Sequence, residues 1–342
     1  MFKNISKLIF FFMLMIGSLI AISANSWFSI WMGLEINLLS FIPLMIKSNN
    51  LMSSEAALKY FLIQTFASII LLFSVILYIF INNIMFNLFK NEILMMIWLS
   101  LLFKMGSAPF HFWFPNVMEG ISWFNALILM TWQKIAPMII LSYSIMNNFL
   151  MIFIILSSIF GSLSGLNQTS LRKIMAFSSI NHMSWMLLTI IFNETLWLFY
   201  LLSYFFLSFC LIFIFHINQM FYLNQLFNMV YIPFWFKFFF MINLLSLGGL
   251  PPFFGFLPKW FVINMMILNN QYFIILILIF MSLITLFFYL RICYSSFMIN
   301  YENMNFNYNF FNKNFMMNFT MILSLFSIFG LFYVLIFMFN FF

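Results

Sequence analysis

A helix that crosses a bilayer needs about 20 mostly apolar residues to cover roughly 30 Å of hydrocarbon. This sequence supplies runs of that length one after another, with little between them. Counting on that basis gives about eleven spans. They run from Leu8 to Ala24, Trp27 to Ile46, Ala57 to Ile81, Ile93 to Phe110, Ser122 to Ser144 and Phe149 to Leu166. Leu171 to Phe192, Leu196 to Ile217, Phe236 to Leu268, Tyr272 to Phe297 and Phe319 to Phe339 complete the set. The connecting segments are short and Asn-rich, so the expected fold is an all-α polytopic membrane protein, residues 1–342 forming a single transmembrane domain. Only 6% of the chain is charged, against about a quarter in soluble domains. No soluble fold could cover that much hydrocarbon.

The cations report topology rather than a polyanionic partner. A net charge of +7 would suggest nucleic acid in a soluble protein, but here Lys and Arg are scattered at the ends of apolar runs, where phospholipid is their neighbour. Nine of them (Lys3, Lys7, Lys47, Lys59, Arg172, Lys173, Lys237, Arg291 and Lys313) fall on the N-terminal side of the predicted spans, and Lys90 alone falls opposite. The positive-inside rule then puts the N-terminus on the insertion side and, with an odd number of spans, the C-terminus on the other. Lys3 and Lys7 followed by an apolar run and Ala21-Ile22-Ser23 have the outline of a secretory signal. That run is long enough to span, however, and the next begins at once at Trp27. The heavy use of Phe, Met, Ile and Asn is what A+T bias in an organelle gene produces.

Several chemistries are excluded. All six acidic residues are Glu (Glu35, Glu55, Glu92, Glu119, Glu194 and Glu302), Asp is absent, and Cys210 and Cys293 are the only cysteines. That leaves no paired-aspartate site, thiolate metal cluster or disulfide framework. There is no Walker lysine loop and no dinucleotide glycine fingerprint. No cofactor or metal is expected in this chain.

Two spans are interrupted. The fourth carries Lys104-Met105-Gly106-Ser107-Ala108-Pro109, and the ninth carries Gly248-Gly249-Leu250-Pro251-Pro252, then Gly255, Pro258 and Lys259. Gly106, Pro109, Gly249, Pro251, Pro252 and Pro258 are the expected helix breaks, each with a lysine nearby. The interrupted spans are five apart in the count, so residues 8–144 and 149–297 are expected to form two five-helix repeats of opposite sense, with 319–339 as an additional C-terminal helix. Interrupted segments at matching positions of two halves are the best sequence pointer to a transport site.

A lysine at mid-bilayer costs at least about 2.5 kcal/mol on insertion scales, so Lys104, Lys134 and Lys259 each need a reason. Burial disfavours an ammonium and a nearby carboxylate favours it, so a buried lysine with an acidic partner can load and release a proton. Glu35 is the one acidic residue deep in a span and is the natural partner. The plainer alternative for each is a snorkelling or interhelical structural charge. His111, just after the first break, and His182, in mid-span, are secondary relay candidates. His216, at the end of the eighth span, reads as structural.

Trp31-Met32-Gly33-Leu34-Glu35-Ile36-Asn37, Glu55 to Leu62, Lys104 to Trp113, Thr131 to Pro137, Leu166 to Lys173, Leu247 to Pro252 and Gly255 to Trp260 carry a family resemblance over nearly the whole chain. In combination and order they resemble the chain 2 family of mitochondrial NADH:ubiquinone oxidoreductase (complex I), in its shortened, insect-like animal form. Ser184 departs from the glycine usual there, and the residues after Asn300 match poorly. The resemblance implies an antiporter-like subunit of two inverted five-helix repeats in the membrane arm, pumping protons along an axis of Glu35, Lys104, Lys134 and Lys259. It implies the mitochondrial inner membrane, N-terminus in the matrix and C-terminus toward the intermembrane space. It also implies neighbouring antiporter-like and small membrane-arm subunits as partners, and NADH, FMN, iron–sulfur clusters and ubiquinone held by other subunits.

Overall fold

The computed structural model describes residues 5–47, 50–84, 90–144, 147–226, 234–297, 320–328 and 330. Lys3, Glu302, Lys313, the loop from Asn300 and most of the predicted span Phe319 to Phe339 lie outside the described residues. Among the described residues thirteen named helices carry the fold. They are α1 (Ile5–Ser23), α2 (Trp27–Met45), α3 (Leu51–Ile84), α4 (Lys90–Met105), α5 (Trp113–Gly120), α6 (Trp123–Met130) and α7 (Trp132–Ser142), then α8 (Asn147–Leu163), α9 (Leu171–Phe192), α10 (Glu194–Asn218), α11 (Phe234–Gly248), α12 (Phe256–Leu268) and α13 (Tyr272–Phe297). Residues 320–328 are also helical. Among the described residues seven segments are long and apolar enough to cross a membrane, α6 and α7 counting as one, and Phe149–Leu163, Trp235–Gly248 and Phe256–Leu268 are shorter apolar helices. Helices are what hydrocarbon requires, since they pair their backbone groups within the segment.

By its internal contacts the chain divides into two units, Met1–Leu156 and Ser157–Phe342. In the first, α3 packs against α2, α4 and α5, while α1 packs against α2 and α7. The α1–α2 crossing is glycine-dependent, because a Cβ on Gly33 would stand 2.6 Å from the Ala21 backbone nitrogen and one on Gly17 2.9 Å from that of Asn37. Small residues let helices approach closely where lipid supplies no hydrophobic driving force between them. In the second unit α9 is central, packed against α10, α12 and α13, and 94% of its membrane window is buried.

The interruptions have specific geometry. At the first, Gly106 adopts φ 72° and Ser107 N–H reaches back to the Leu102 carbonyl at 3.2 Å. At the second, Gly249 adopts φ 80° and Leu250 N–H reaches the Leu245 carbonyl at 3.4 Å. Both are left-handed glycine terminators in which the next N–H closes a six-residue loop, so otherwise orphaned carbonyls are paired. The Ala108–Pro109 peptide is cis, and Pro251 and Pro252 lie between α11 and α12. Pro258 sits within the first turn of α12, where its missing N–H costs no hydrogen bond. The fifth predicted span, Ser122 to Ser144, is not one helix. It divides at Thr131 (φ −114°, ψ −71°), with Lys134 N–H accepted by the Thr131 carbonyl at 3.2 Å in place of a regular turn. The cause is Pro137, which lacks an N–H and crowds the carbonyl four residues back.

Gly33→Val should force α1 and α2 apart and cost about 1–3 kcal/mol of overpacking, read as a lower melting temperature of the assembled protein in detergent. Gly249→Ala should lose about 1–2 kcal/mol from the left-handed backbone alone. It should also displace Lys259, whose Nζ lies 2.8 Å from where the new Cβ would stand. A structure of that variant in which the ammonium keeps its place would refute the coupling.

Candidate functional site

In the first unit the sequence brings two of its buried lysines to one cavity. Lys104 occupies the last turn of α4, where an ammonium complements the negative end of the helix dipole, and is 9% exposed. Lys134, placed in the first turn of α7 by the division at Thr131, is 3% exposed. Together with Asn37, Tyr60, Gln64 and Gln133 they line a cavity of ≈ 20 Å³, enough for a water molecule among several polar partners.

A carboxylate acts on two of the residues that line this cavity. Glu35 on α2 is half-buried and acts electrostatically on both Lys104 and Tyr60. Its Oε2 is buried without a hydrogen-bond partner. Lys134 Nζ lies 5.1 Å from the centre of the Phe114 ring, in cation–π range. The walls are tied by amides: Gln64 Nε2 donates to the Lys104 carbonyl at 3.1 Å, and Gln133 Nε2 to Asn37 Oδ1 at 3.0 Å. Glu35 offers a negative charge to the Lys104 side of the site. The arrangement suits a proton shared between two bases and a carboxylate. His111 is buried after the break, stacked on Phe112 at 4.3 Å between ring centres, and is not among the residues lining the cavity.

The second unit treats its lysine differently. Lys259, 5% exposed in the first turn of α12, donates from Nζ to the Gly248 carbonyl at 2.8 Å and lies 5.9 Å from the centre of a Trp185 ring. Its charge is met by the negative end of α11 and an indole face. His182, in the middle of α9, shares a hydrogen bond of 2.9 Å between Nδ1 and the Tyr200 hydroxyl. Ser184 is fully buried and donates to the Asn181 carbonyl at 2.6 Å, so this departure from glycine is accommodated within its own helix. His216 is exposed at the end of α10.

Tyr60, Gln64, Asn37 and Gln133 had not been singled out from the sequence. Tyr60 and Gln64 are four apart in α3, hence on one face of that helix, and that spacing was the available signal. Asn37 and Gln133 stand next to selected residues within their own motifs.

Comparison with known proteins agrees with this architecture. The family described as NADH:quinone oxidoreductase/Mrp antiporter, TM, matches residues 24–285, and NADH dehydrogenase subunit 2 C-terminus matches residues 286–338. NADH-ubiquinone oxidoreductase chain 2 of Anopheles gambiae is 54% identical over 332 residues, covering 96% of this chain and 97% of the relative. The protein of the same name from Aedes aegypti is 53% identical over 330 residues, covering 96% and 97%. Among solved structures, a chain of respiratory complex I from Thermus thermophilus with bound Aureothin superposes with a TM-score of 0.83 at 22% identity, covering 95% of this chain and 77% of that one. A chain of the Mrp complex from Dietzia gives 0.75 at 20% identity, covering 83% and 59%. The solved structures share the fold; matched over 96% of its length by the insect relatives and over residues 24–338 by the two family descriptions together, the chain belongs to the NADH-ubiquinone oxidoreductase chain 2 family.

Proposed function

We propose that this chain is a proton-translocating subunit of the membrane arm of respiratory complex I. In this reading, NADH-to-ubiquinone electron transfer in other subunits drives protons through Glu35, Lys104, Lys134 and Lys259. The observation that carries it is the small cavity shared by Lys104 and Lys134, with Glu35 acting electrostatically on Lys104. Burying two lysines together costs several kcal/mol on insertion scales, and a structural role would be met as well by apolar side chains. Glu35 holds the charge on Lys104, and loss of that influence favours release of the lysine's proton into the cavity.

The chain is then part of an enzyme only through its complex. NADH, FMN, iron–sulfur clusters and ubiquinone belong to neighbouring subunits, and antiporter-like and small membrane-arm subunits flank this one. The names of its relatives support the mitochondrial inner membrane, and the cation bias supports a matrix N-terminus with the C-terminus toward the intermembrane space. The matched glycine terminators at Gly106 and Gly249 support two inverted repeats over 8–144 and 149–297.

Lys104→Met or Glu35→Gln, introduced into the assembled complex in sealed vesicles, should lower coupled NADH:ubiquinone turnover and proton uptake by roughly tenfold or more. NADH oxidation by an artificial acceptor at the flavin should be unchanged. Wild-type turnover with an unchanged proton-to-electron ratio would remove these residues from the pathway.

A further inference from the structure

The first turn of α7 is placed by side chains as much as by its own backbone. Pro137 has no N–H to give to the carbonyl of Gln133, four residues back. The division at Thr131 replaces the regular turn before Lys134 by a bond of 3.2 Å from Lys134 N–H to the Thr131 carbonyl. The two residues preceding Lys134 are each bonded to another helix. Trp132 Nε1 donates to Ser18 Oγ on α1 at 3.0 Å, and Gln133 Nε2 donates to Asn37 Oδ1 on α2 at 3.0 Å. Ser18 gives its own proton to the Met15 carbonyl at 2.7 Å, so its oxygen is left to accept. Both acceptors are buried.

These acceptors stand at the close crossing of α1 and α2. Gly17 is next to Ser18, and a Cβ on it would lie 2.9 Å from the Asn37 backbone nitrogen. Backbone packing therefore fixes the distance between Ser18 and Asn37. Successive residues of an α-helix point about 100° apart, so bonds from Trp132 and Gln133 to two different helices fix the rotation of the turn, and with it the direction in which Lys134 leaves α7. At the other end of α7 the Tyr143 hydroxyl donates to the Ile22 carbonyl of α1 at 2.8 Å, which fixes the helix lengthwise. Held in this way, Lys134 lines the cavity with Asn37 and Gln133 and sets its ammonium over the Phe114 ring.

We infer that Ser18, Asn37, Trp132 and Gln133 form a clamp that aims Lys134 into the cavity, Asn37 and Gln133 being positioning residues for proton translocation. The inference rests on the proton-pumping reading given above. The clamp acts through Lys134 and moves no proton itself. It also ties α2, which carries Glu35, to the helix that carries Lys134. A lysine released from the clamp keeps its charge and its helix but loses its fixed place among the cavity residues, and the balance between its ammonium and amine forms depends on that place. A plain interhelical tie would hold the helices together without setting that balance.

The test compares Gln133→Met, Asn37→Leu, the exchanged pair Asn37→Gln with Gln133→Asn, and Lys134→Met, each in the assembled complex in sealed vesicles. The exchanged pair keeps two amides and the same number of methylene groups between the two helices. The clamp predicts that Gln133→Met and Asn37→Leu assemble and oxidise NADH at the flavin as wild type does, while proton uptake falls roughly tenfold or more and the pH profile of coupled turnover shifts. The exchanged pair should return both toward wild type. Single variants with wild-type uptake and pH profile, beside a Lys134→Met that fails to pump, overturn the clamp and leave the role of Lys134 standing. Lowered uptake with an unshifted pH profile, an exchanged pair no better than the single variants, or loss of the assembled complex in both single variants assigns the bonds to structure and overturns the clamp as well. If Lys134→Met itself behaves as wild type, the pumping role of Lys134 falls and the clamp falls with it.

Discussion

Hydrocarbon offers no hydrogen bonds, so each backbone N–H and C=O inside the bilayer must find its partner within the protein. The rest of the structure follows from that constraint. Where the helices run unbroken it is met automatically. Where they stop, side chains meet it: Gln64 donates to the Lys104 carbonyl, Trp113 Nε1 to the Phe103 carbonyl at 3.2 Å, and Lys259 to the Gly248 carbonyl. At the second interruption the Ser327 carbonyl accepts from Phe254 N–H at 3.1 Å, while the Ser327 hydroxyl donates to Asn243 Oδ1 at 2.7 Å. The helix at 320–328 thus closes a gap in the α11–α12 segment. The polar residues near the interruptions serve backbone pairing and site chemistry together.

The two units stabilise buried ammonium groups by different means. In the first, a carboxylate and a water-sized cavity stand beside Lys104 and Lys134. In the second, Lys259 has a carbonyl at a helix end and an indole face. A carboxylate makes the charged state of a lysine depend on where that carboxylate is; a fixed dipole makes it depend on where the lysine is.

Much of this was legible in the sequence, because the bilayer imposes a length on every span and makes each buried charge conspicuous. The membrane class, the family, the interruptions at Gly106 and Gly249 and the burial of all three lysines are as the residues indicated. The division at Thr131 was not, although Pro137 was its signal: a proline in an apolar run announces a distortion without saying on which residue it will fall. The relation of Lys104 and Lys259 to their interruptions was also hidden. Both stand near a glycine turn in the sequence, but Lys104 belongs to the helix that ends there and Lys259 to the helix that begins after it. The tyrosines at His182, Tyr200 and Tyr204, come from α10, and their meeting with the middle of α9 is a tertiary fact that no local pattern records.

Helix α3 contains 34 residues, about 51 Å at the rise of an α-helix, against roughly 30 Å of hydrocarbon. Its first turns carry the exposed Glu55 and Lys59, and the next carry Tyr60 and Gln64 into the cavity wall. Such a rod cannot lie wholly within the bilayer unless steeply inclined, so it overhangs the membrane surface. Gln64, bonded to the Lys104 carbonyl, lies on the same unbroken helix as that overhanging end, so continuous hydrogen-bonded backbone joins the exposed turns to the end of the interrupted helix.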